Sequence, residues 1–256
     1  MMMRKIGIAI AMGVVMAASG SAQGAEIKAL ITTAMKPVID ELVPAFERST
    51  GHTLRVTYGP TGPLSKRLTD GEAADLIVIS DDGIDALIKS GKVSGARKDV
   101  ARTEVGVAVG KGAAKPDISS PDAVKRTLVA AKSIAFVGPA SGGVTNAHLV
   151  KMYEKLGIAA EIAGKAKYAA GGPNGRVSAL VASGDAEIGL QQISELMSEP
   201  RVDVVGRLPE TLRIFTIYSA GIPADAKEAA AARALLAHLT APQTIPVWQA
   251  KGLEPR

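Results

Sequence analysis

The chain has 256 residues, 47% of them hydrophobic and 21% charged, which is ample material for one large domain or two modest ones and excludes a disordered chain. Zero cysteines exclude disulfides, thiolate metal centres, Fe–S clusters, cysteine nucleophiles and a lipid-modified N-terminal cysteine, and three scattered histidines leave little room for a His-rich metal site. The net charge of +5 falls to +3 once Arg4 and Lys5 are set aside, and the remaining Lys and Arg never cluster beside stacking aromatics, so nucleic acid is not an expected partner.

Arg4 and Lys5 open the chain, residues 6–18 (IGIAIAMGVVMAA) are uninterruptedly apolar, and the small residues SGSAQGA follow. Basic, apolar and small in that order is the pattern of a secretory signal peptide, predicted here over residues 1–24. About thirteen apolar residues are too few for a bilayer core that needs roughly twenty. The expected mature protein is therefore exported.

Residues 27–32 read as a strand. Met35, Val38, Ile39, Leu42, Val43 and Phe46 recur at helical spacing, with Pro37 in the first turn, Gly51 as a stop, and Pro44 predicting a kink or break. Leu54, Val56 and Tyr58 alternate as a strand, GPTG (59–62) turns, and a helix begins over 64–68. The continuous apolar run 76–79 (LIVI) suits a strand covered on both faces. Further strands are predicted at 104–109, 133–137, 165–168, 188–191 and 212–218. Helices are predicted after the Ser120-Pro121 cap, from Gly143 or Val144 toward Leu156, over 176–183, over 224–239, and briefly near Val247. Alternating strands and helices predict parallel sheets flanked by helices.

Ligands of such sheets bind beyond the carboxyl ends of the strands. Four turns there are rich in glycine and hydroxyls: Thr32-Thr33-Ala34, residues 59–63, residues 138–145 and residues 171–176. Each is explicable as turn chemistry alone. Together they present backbone N–H groups and helix N-termini suited to an anion. Arg176, at the first turn of a helix, opposes the helix dipole and needs a compensating anion. A ligand carboxylate would serve, and so would Asp185 or Glu187.

Catalytic patterns are missing. There is no G-x-S-x-G, no G-x-x-x-x-G-K-[ST] and no H-E-x-x-H, and His52, His148 and His238 read as surface or packing residues. Asp81-Asp82 reads as a helix cap in preference to a metal pair. The expectation is a non-enzyme without cofactor or metal.

The run 32–80, with Gly59-Pro60-Thr61-Gly62-Pro63-Leu64 as G-x-[ST]-G-x-L and 71–80 (GEAADLIVIS), resembles periplasmic molybdate-binding proteins and their relatives, the type II solute-binding proteins of ABC importers. Residues 138–144, KMYEKLG (151–157) and GRVSALVASGDAEIGL (175–190) are similar to that family's second-domain elements. The resemblance implies a two-lobed α/β fold closing on its ligand like a hinged clamp. It implies lobe one at 25–105 plus 216–256, lobe two at 106–215, crossing strands at 104–109 and 212–218, a permease in the inner membrane as partner, and a monomer. It also implies ligand-binding positions at Thr33 and Ala34, at Thr61 and Gly62, at Ser141, Gly143 and Val144, at Arg176, and at Gln192. Two positions depart from the family's pattern, Ala34 for serine and Gln192 for tyrosine, and Arg176 stands among what are elsewhere neutral groups. Arg and Gln suit the planar fork of a carboxylate, so the expected ligand is an organic di- or tricarboxylate, with molybdate, tungstate or another tetrahedral oxyanion as the alternative.

Overall fold

The computed structural model describes residues 24–173 and 175–256. The predicted signal peptide lies outside the described residues except for Gly24. In chain order the elements are β1 (Glu26–Thr32), α1 (Lys36–Thr50), β2 (Thr53–Gly59), α2 (Thr61–Thr69), β3 (Leu76–Ser80), α3 (Asp81–Lys89), β4 (Val93–Gly110), α4 (Pro121–Ala130), β5 (Ile134–Val137) and α5 (Val144–Leu156). They continue as α6 (Ala159–Lys165), β6 (Ala166–Ala169), α7 (Val177–Ala182), β7 (Ile188–Gln192), α8 (Ile193–Met197), β8 (Val202–Arg207), β9 (Phe215–Pro223), α9 (Ala229–Leu239), α10 (Ile245–Ala250) and β10 (Glu254–Pro255).

The sheet order is β2-β1-β3-β9-β4-β7-β5-β6, with β8 and β10 also pairing β4. Three strands at each end are parallel, β2-β1-β3 and β7-β5-β6, while β9 and β4 run antiparallel between them. β4 holds both halves. Its residues up to Glu104 pair with β9, and from Val105 onward they pair with β7 and β8.

Each half has its own apolar core. The first packs the helical stripe Val38, Ile39, Leu42, Val43 and Phe46 of α1 with Trp248 and α9 on one face of β1 and β3, and Leu64, Leu68, Ile84 and Leu87 on the other. Trp248 satisfies its buried indole by donating to the Leu239 carbonyl at 2.9 Å. The second half packs Val124, Leu128, Leu149, Met152 and Tyr153 on one face and Val177, Val181 and Leu196 on the other.

Several sequence expectations are corrected. α1 runs through Pro44 without a break, because Pro44 lies on the exposed face. There its missing N–H leaves a carbonyl directed toward solvent. The strand expected at 212–218 begins only at Phe215 and continues to Pro223, since Leu212 closes a 3₁₀ turn and the Ser-Ala-Gly stretch, weak in strand propensity, is held by pairing on both edges. The 104–109 strand is the end of a much longer β4, whose charged first half gave no strand signal. α9 starts at Ala229 instead of 224, where the buried Asp75 carboxylate accepts from the N–H groups of Lys227 and Glu228 at 3.0 and 2.9 Å and so fixes the helix entry. Asp81 and Asp82 occupy the first turn of α3, with Ser80 at the cap position. Ser120 does cap α4, its hydroxyl accepting from Ala123 N–H at 3.1 Å. Among the described residues no group of acids and histidines could hold a metal ion, and no helix is long and apolar enough to cross a membrane.

Candidate functional site

The register of the parallel strands builds one wall of a cleft. Thr32 pairs with Gly59, so β1 and β2 end side by side and their following turns present Thr33 and Thr61 together. Thr61 Oγ1 accepts from Ser80 N–H at 3.2 Å, which ties the end of β3 to the same spot. The opposite wall comes from the turn before α5, the turn after β6, and the β7–α8 junction. The two walls touch where Gly62 N–H donates to the Gly142 carbonyl at 3.0 Å. A Cβ at Gly62 would lie 2.9 Å from that carbonyl oxygen, and Gly142 itself has φ of 66°, so this close approach requires glycine on both sides.

Two adjoining cavities occupy the cleft. The inner one, about 40 Å³, is lined by Thr32, Thr33, Pro60, Thr61 and Tyr218 from one wall and by Gly143, Val144, Thr145, Gly171, Gly172, Gln191 and Glu195 from the other. The outer one, about 570 Å³, is lined by Thr33, Lys36, Asp40, Arg176, Ser194, Glu195, Ser198 and Lys251 among others. Thr33 and Glu195 belong to both.

The residues singled out in the sequence are divided between these spaces. Thr61, Gly143 and Val144 line the inner cavity, Arg176 the outer, and Thr33 both. Thr33 Oγ1 is buried without a partner among the described residues. Ala34 is fully buried and lines neither cavity, and Gly62 contributes the wall-to-wall contact. Ser141 Oγ accepts from Gly143 N–H at 3.1 Å, which sets the loop entering α5. Gln192 is buried beside the cleft, where its amide donates to Thr145 Oγ1 at 3.2 Å and Thr216 Oγ1 at 2.8 Å, joining α5 to β9.

Arg176 sits at the cap position of α7 and donates Nε–H to the Pro173 carbonyl and an Nη1–H to Ser198 Oγ, both at 2.9 Å. Neither Asp185 nor Glu187 compensates it. Asp185 accepts from Ser183, and Glu187 accepts from the Lys132 N–H. The other cations of the outer cavity are paired, Lys36 with Asp40 at 2.6 Å and Lys251 with Glu41 at 2.8 Å, whereas Arg176 forms no ion pair among the described residues.

Sequence reasoning missed Glu195, Gln191 and Tyr218. Glu195 is buried at the wall shared by both cavities, and Gln191 Nε2–H donates to its Oε2 at 2.7 Å. Burial pushes this carboxyl up to about 7, against the opposing pull of the Gln191 hydrogen bond and the Arg176 charge. Tyr218 is pushed far above the ordinary phenol range by burial first and then by the Glu195 charge. A Q-x-x-x-E spacing (191–195) was the available signal. It carried no weight because half of it lies on a strand and half on a short helix.

The family model for bacterial extracellular solute-binding proteins matches residues 27–254. This chain belongs to that family. It is 34% identical over 223 residues to an aconitate isomerase of a Pseudomonas species, a match covering 85% of this chain and 83% of that protein. It is 26% identical over 243 residues to the molybdate-binding protein ModA of Azotobacter vinelandii, covering 91% of each. The solved Azotobacter vinelandii periplasmic molybdate-binding protein superposes with a TM-score of 0.72 at 19% identity, covering 89% of this chain and 98% of that one. The resemblance read from 32–80 and from 138–190 is thus met by a match over 27–254, and the fold is the two-lobed α/β architecture of type II periplasmic binding proteins. Of the residues lining the cleft of this solute-binding protein, those of the inner cavity are neutral except for Glu195, and the outer cavity adds Lys36, Arg176 and Lys251 together with Asp40.

Proposed function

We propose that this solute-binding protein is exported through its N-terminal signal, captures a small organic di- or tricarboxylate between its lobes, and delivers it as a monomer to an ABC permease. In this reading the lobes are 25–105 plus 216–256 and 106–215, and the exchange of β4 partners between Glu104 and Val105 supports a hinge there. The observation carrying the carboxylate is Arg176, a guanidinium lining the outer cavity of about 570 Å³ with no acidic partner among the described residues. One carboxylate fits the inner cavity, against the hydroxyls of Thr33 and Thr61 and the backbone at Gly143 and Val144. A second reaches Arg176, whose planar fork matches it.

Two observations keep rivals in view. The lining of the inner cavity, neutral except for Glu195, and the likeness to ModA favour a tetrahedral oxyanion such as molybdate held there alone. The Pseudomonas relative is named for turnover of aconitate, a tricarboxylate with one C=C bond, which supports the carboxylate class and makes rearrangement of the bound ligand a second reading beside capture. The deciding experiment is thermal denaturation with molybdate, tungstate, sulfate, phosphate, citrate, trans-aconitate and shorter dicarboxylates. At a hundred times its dissociation constant a true ligand adds about 2.7 kcal/mol. A large shift with molybdate or tungstate and none with any carboxylate overturns the proposal.

A further inference from the structure

Glu195 is out of place in a protein that only captures anions. An ionised carboxylate facing a carboxylate ligand repels it, and its burial raises the cost of that unpaired charge. The fold nevertheless places Glu195 on the wall common to both cavities, buried, with Thr33 Oγ1 and Ser194 Oγ nearby and without protein partners. Gln191 holds one oxygen, Oε2, at 2.7 Å, and the hydrogen bonds of the described residues use only that one, so Oε1 is left to the cleft. A ligand spanning the two chambers, with a carboxylate in each, would pass its middle carbons in front of Oε1.

We propose that Glu195 is a catalytic residue that moves a proton between carbons of the bound ligand, making the cleft a site for a 1,3-shift in an unsaturated polycarboxylate. This deepens the carboxylate reading above and rests on it. Glu195 Oε1 takes a proton from a CH₂ placed between a carboxylate and a C=C bond. The C–H electron pair becomes the new double bond as the old one shifts its electrons toward the far carboxylate, giving a delocalised dienolate. The same carboxyl then returns the proton to the far allylic carbon. One C–H bond breaks and one forms, the double bond moves by one position, and no oxidant or co-reactant is consumed. Arg176 stands where the developing carboxylate charge can be neutralised, and Gln191 orients the carboxyl as a positioning residue. The residue's titration suits the task, since a general base works best near the operating pH.

The charged and titratable groups around Glu195 are Arg176 ahead of α7, Tyr218 on β9, Lys36 and Asp40 on α1, and Lys251 after α10. Of these groups, burial pushes the Glu195 carboxyl up to about 7 and holds the Tyr218 phenol neutral beside it. The test follows deuterium entry into trans-aconitate in D₂O by proton NMR, with saturated tricarballylate as a binding control that lacks the allylic position and affinity measured in parallel by calorimetry. The wild type is expected to exchange the allylic proton and form the cis isomer. E195Q, which keeps the shape and the Gln191 hydrogen bond, is expected to lose at least about 100-fold in exchange rate while its affinity changes less than about threefold. A wild type that binds trans-aconitate but neither exchanges the proton nor forms the cis isomer overturns this inference and leaves the binding reading standing, whereas a wild type that binds no carboxylate sinks both. Exchange by E195Q at the wild-type rate also overturns it. Should E195Q fail to fold, the wild-type pH profile of kcat/KM decides: it is expected to rise about tenfold from pH 6 to 8 and level off above, and a flat profile overturns the assignment.

Discussion

The inner and outer cavities share Thr33 and Glu195 and differ in size and electrostatics. The inner chamber, about 40 Å³, holds roughly three water-sized groups by volume and is walled by hydroxyls, glycine backbone and Tyr218. The outer is more than ten times larger and carries Arg176, Lys36 and Lys251. A neutral cage with fixed donors discriminates by shape, since it can satisfy only an anion whose oxygens reach its donors. A roomy cationic chamber attracts by charge and tolerates many shapes. A binding protein with the first alone suits a small compact oxyanion; one with both can grip a longer polyanion at its head and neutralise its tail. The comparison therefore carries the choice of ligand, and it can be broken at the shared wall, at either chamber, or at the contact that closes them.

The largest expected effect is at the shared wall. Glu195 has its carboxyl raised from an ordinary value of 4.5 to about 7, so between those values the folded protein binds a proton that the unfolded chain has released. Stability then falls as pH rises from about 4.5 to about 7 and is level above, by about 3 kcal/mol in all. Asp99, Asp117, Glu199 and Asp203 shift the other way, each held low first by a side-chain hydrogen bond, and their contribution changes below pH 4. In the difference between wild type and E195Q those terms cancel. Urea unfolding at pH 5 and pH 8 is expected to show E195Q gaining on the wild type at the higher pH, and equal differences at the two would mean that Glu195 ionises freely.

In the outer chamber, R176A removes a charge-assisted contact and is expected to weaken carboxylate binding about 10- to 100-fold, with R176K recovering only part. Any molybdate binding in the inner chamber should hardly change. Circular dichroism of R176A separates loss of the ligand contact from loss of the Pro173 and Ser198 anchors, and unchanged carboxylate affinity would make Arg176 structural.

The closing contact comes next. G62A sets a Cβ against the Gly142 carbonyl at 2.9 Å and so opposes the approach of the two walls. The competent closed state becomes rarer, and every ligand should weaken by a similar factor, about tenfold, with little change in unfolding free energy. A ligand-selective loss would instead place Gly62 in the binding surface.

How much of this was legible in the sequence depends on whether a feature is local. Strand and helix alternation, the Ser120 cap and the four glycine-rich turns are written in neighbouring residues, and all can be read before folding. The length of β4 is not, because residues such as Lys98, Asp99 and Arg102 carry no strand propensity and are held by pairing with β9. The same limit hid Glu195. In ISELM it is one acidic position in a stretch with no predicted element, and its burial arises only when β7 pairs with β4 and α8 packs against β4 and β8. Arg176 was visible as an anomaly at a helix start, but its surroundings were not: Ser198, 22 positions away, answers it instead of the nearer Asp185 or Glu187.

The smallest effect tests the inner chamber, and it separates affinity from stability in one variant. Thr33 Oγ1 is buried with no protein partner, an arrangement that destabilises the folded chain unless something else uses the hydroxyl. Valine has the same shape without it. T33V is therefore expected to unfold at the same denaturant concentration as wild type or a higher one, while ligand affinity drops about three- to tenfold, the range of one neutral hydrogen bond. Affinity loss without stability loss is the mark of a group kept for the ligand, since a structural hydroxyl would show the reverse. If T33V binds carboxylates as the wild type does, the head group does not enter the inner chamber, and the polyanion must lie wholly beside Arg176.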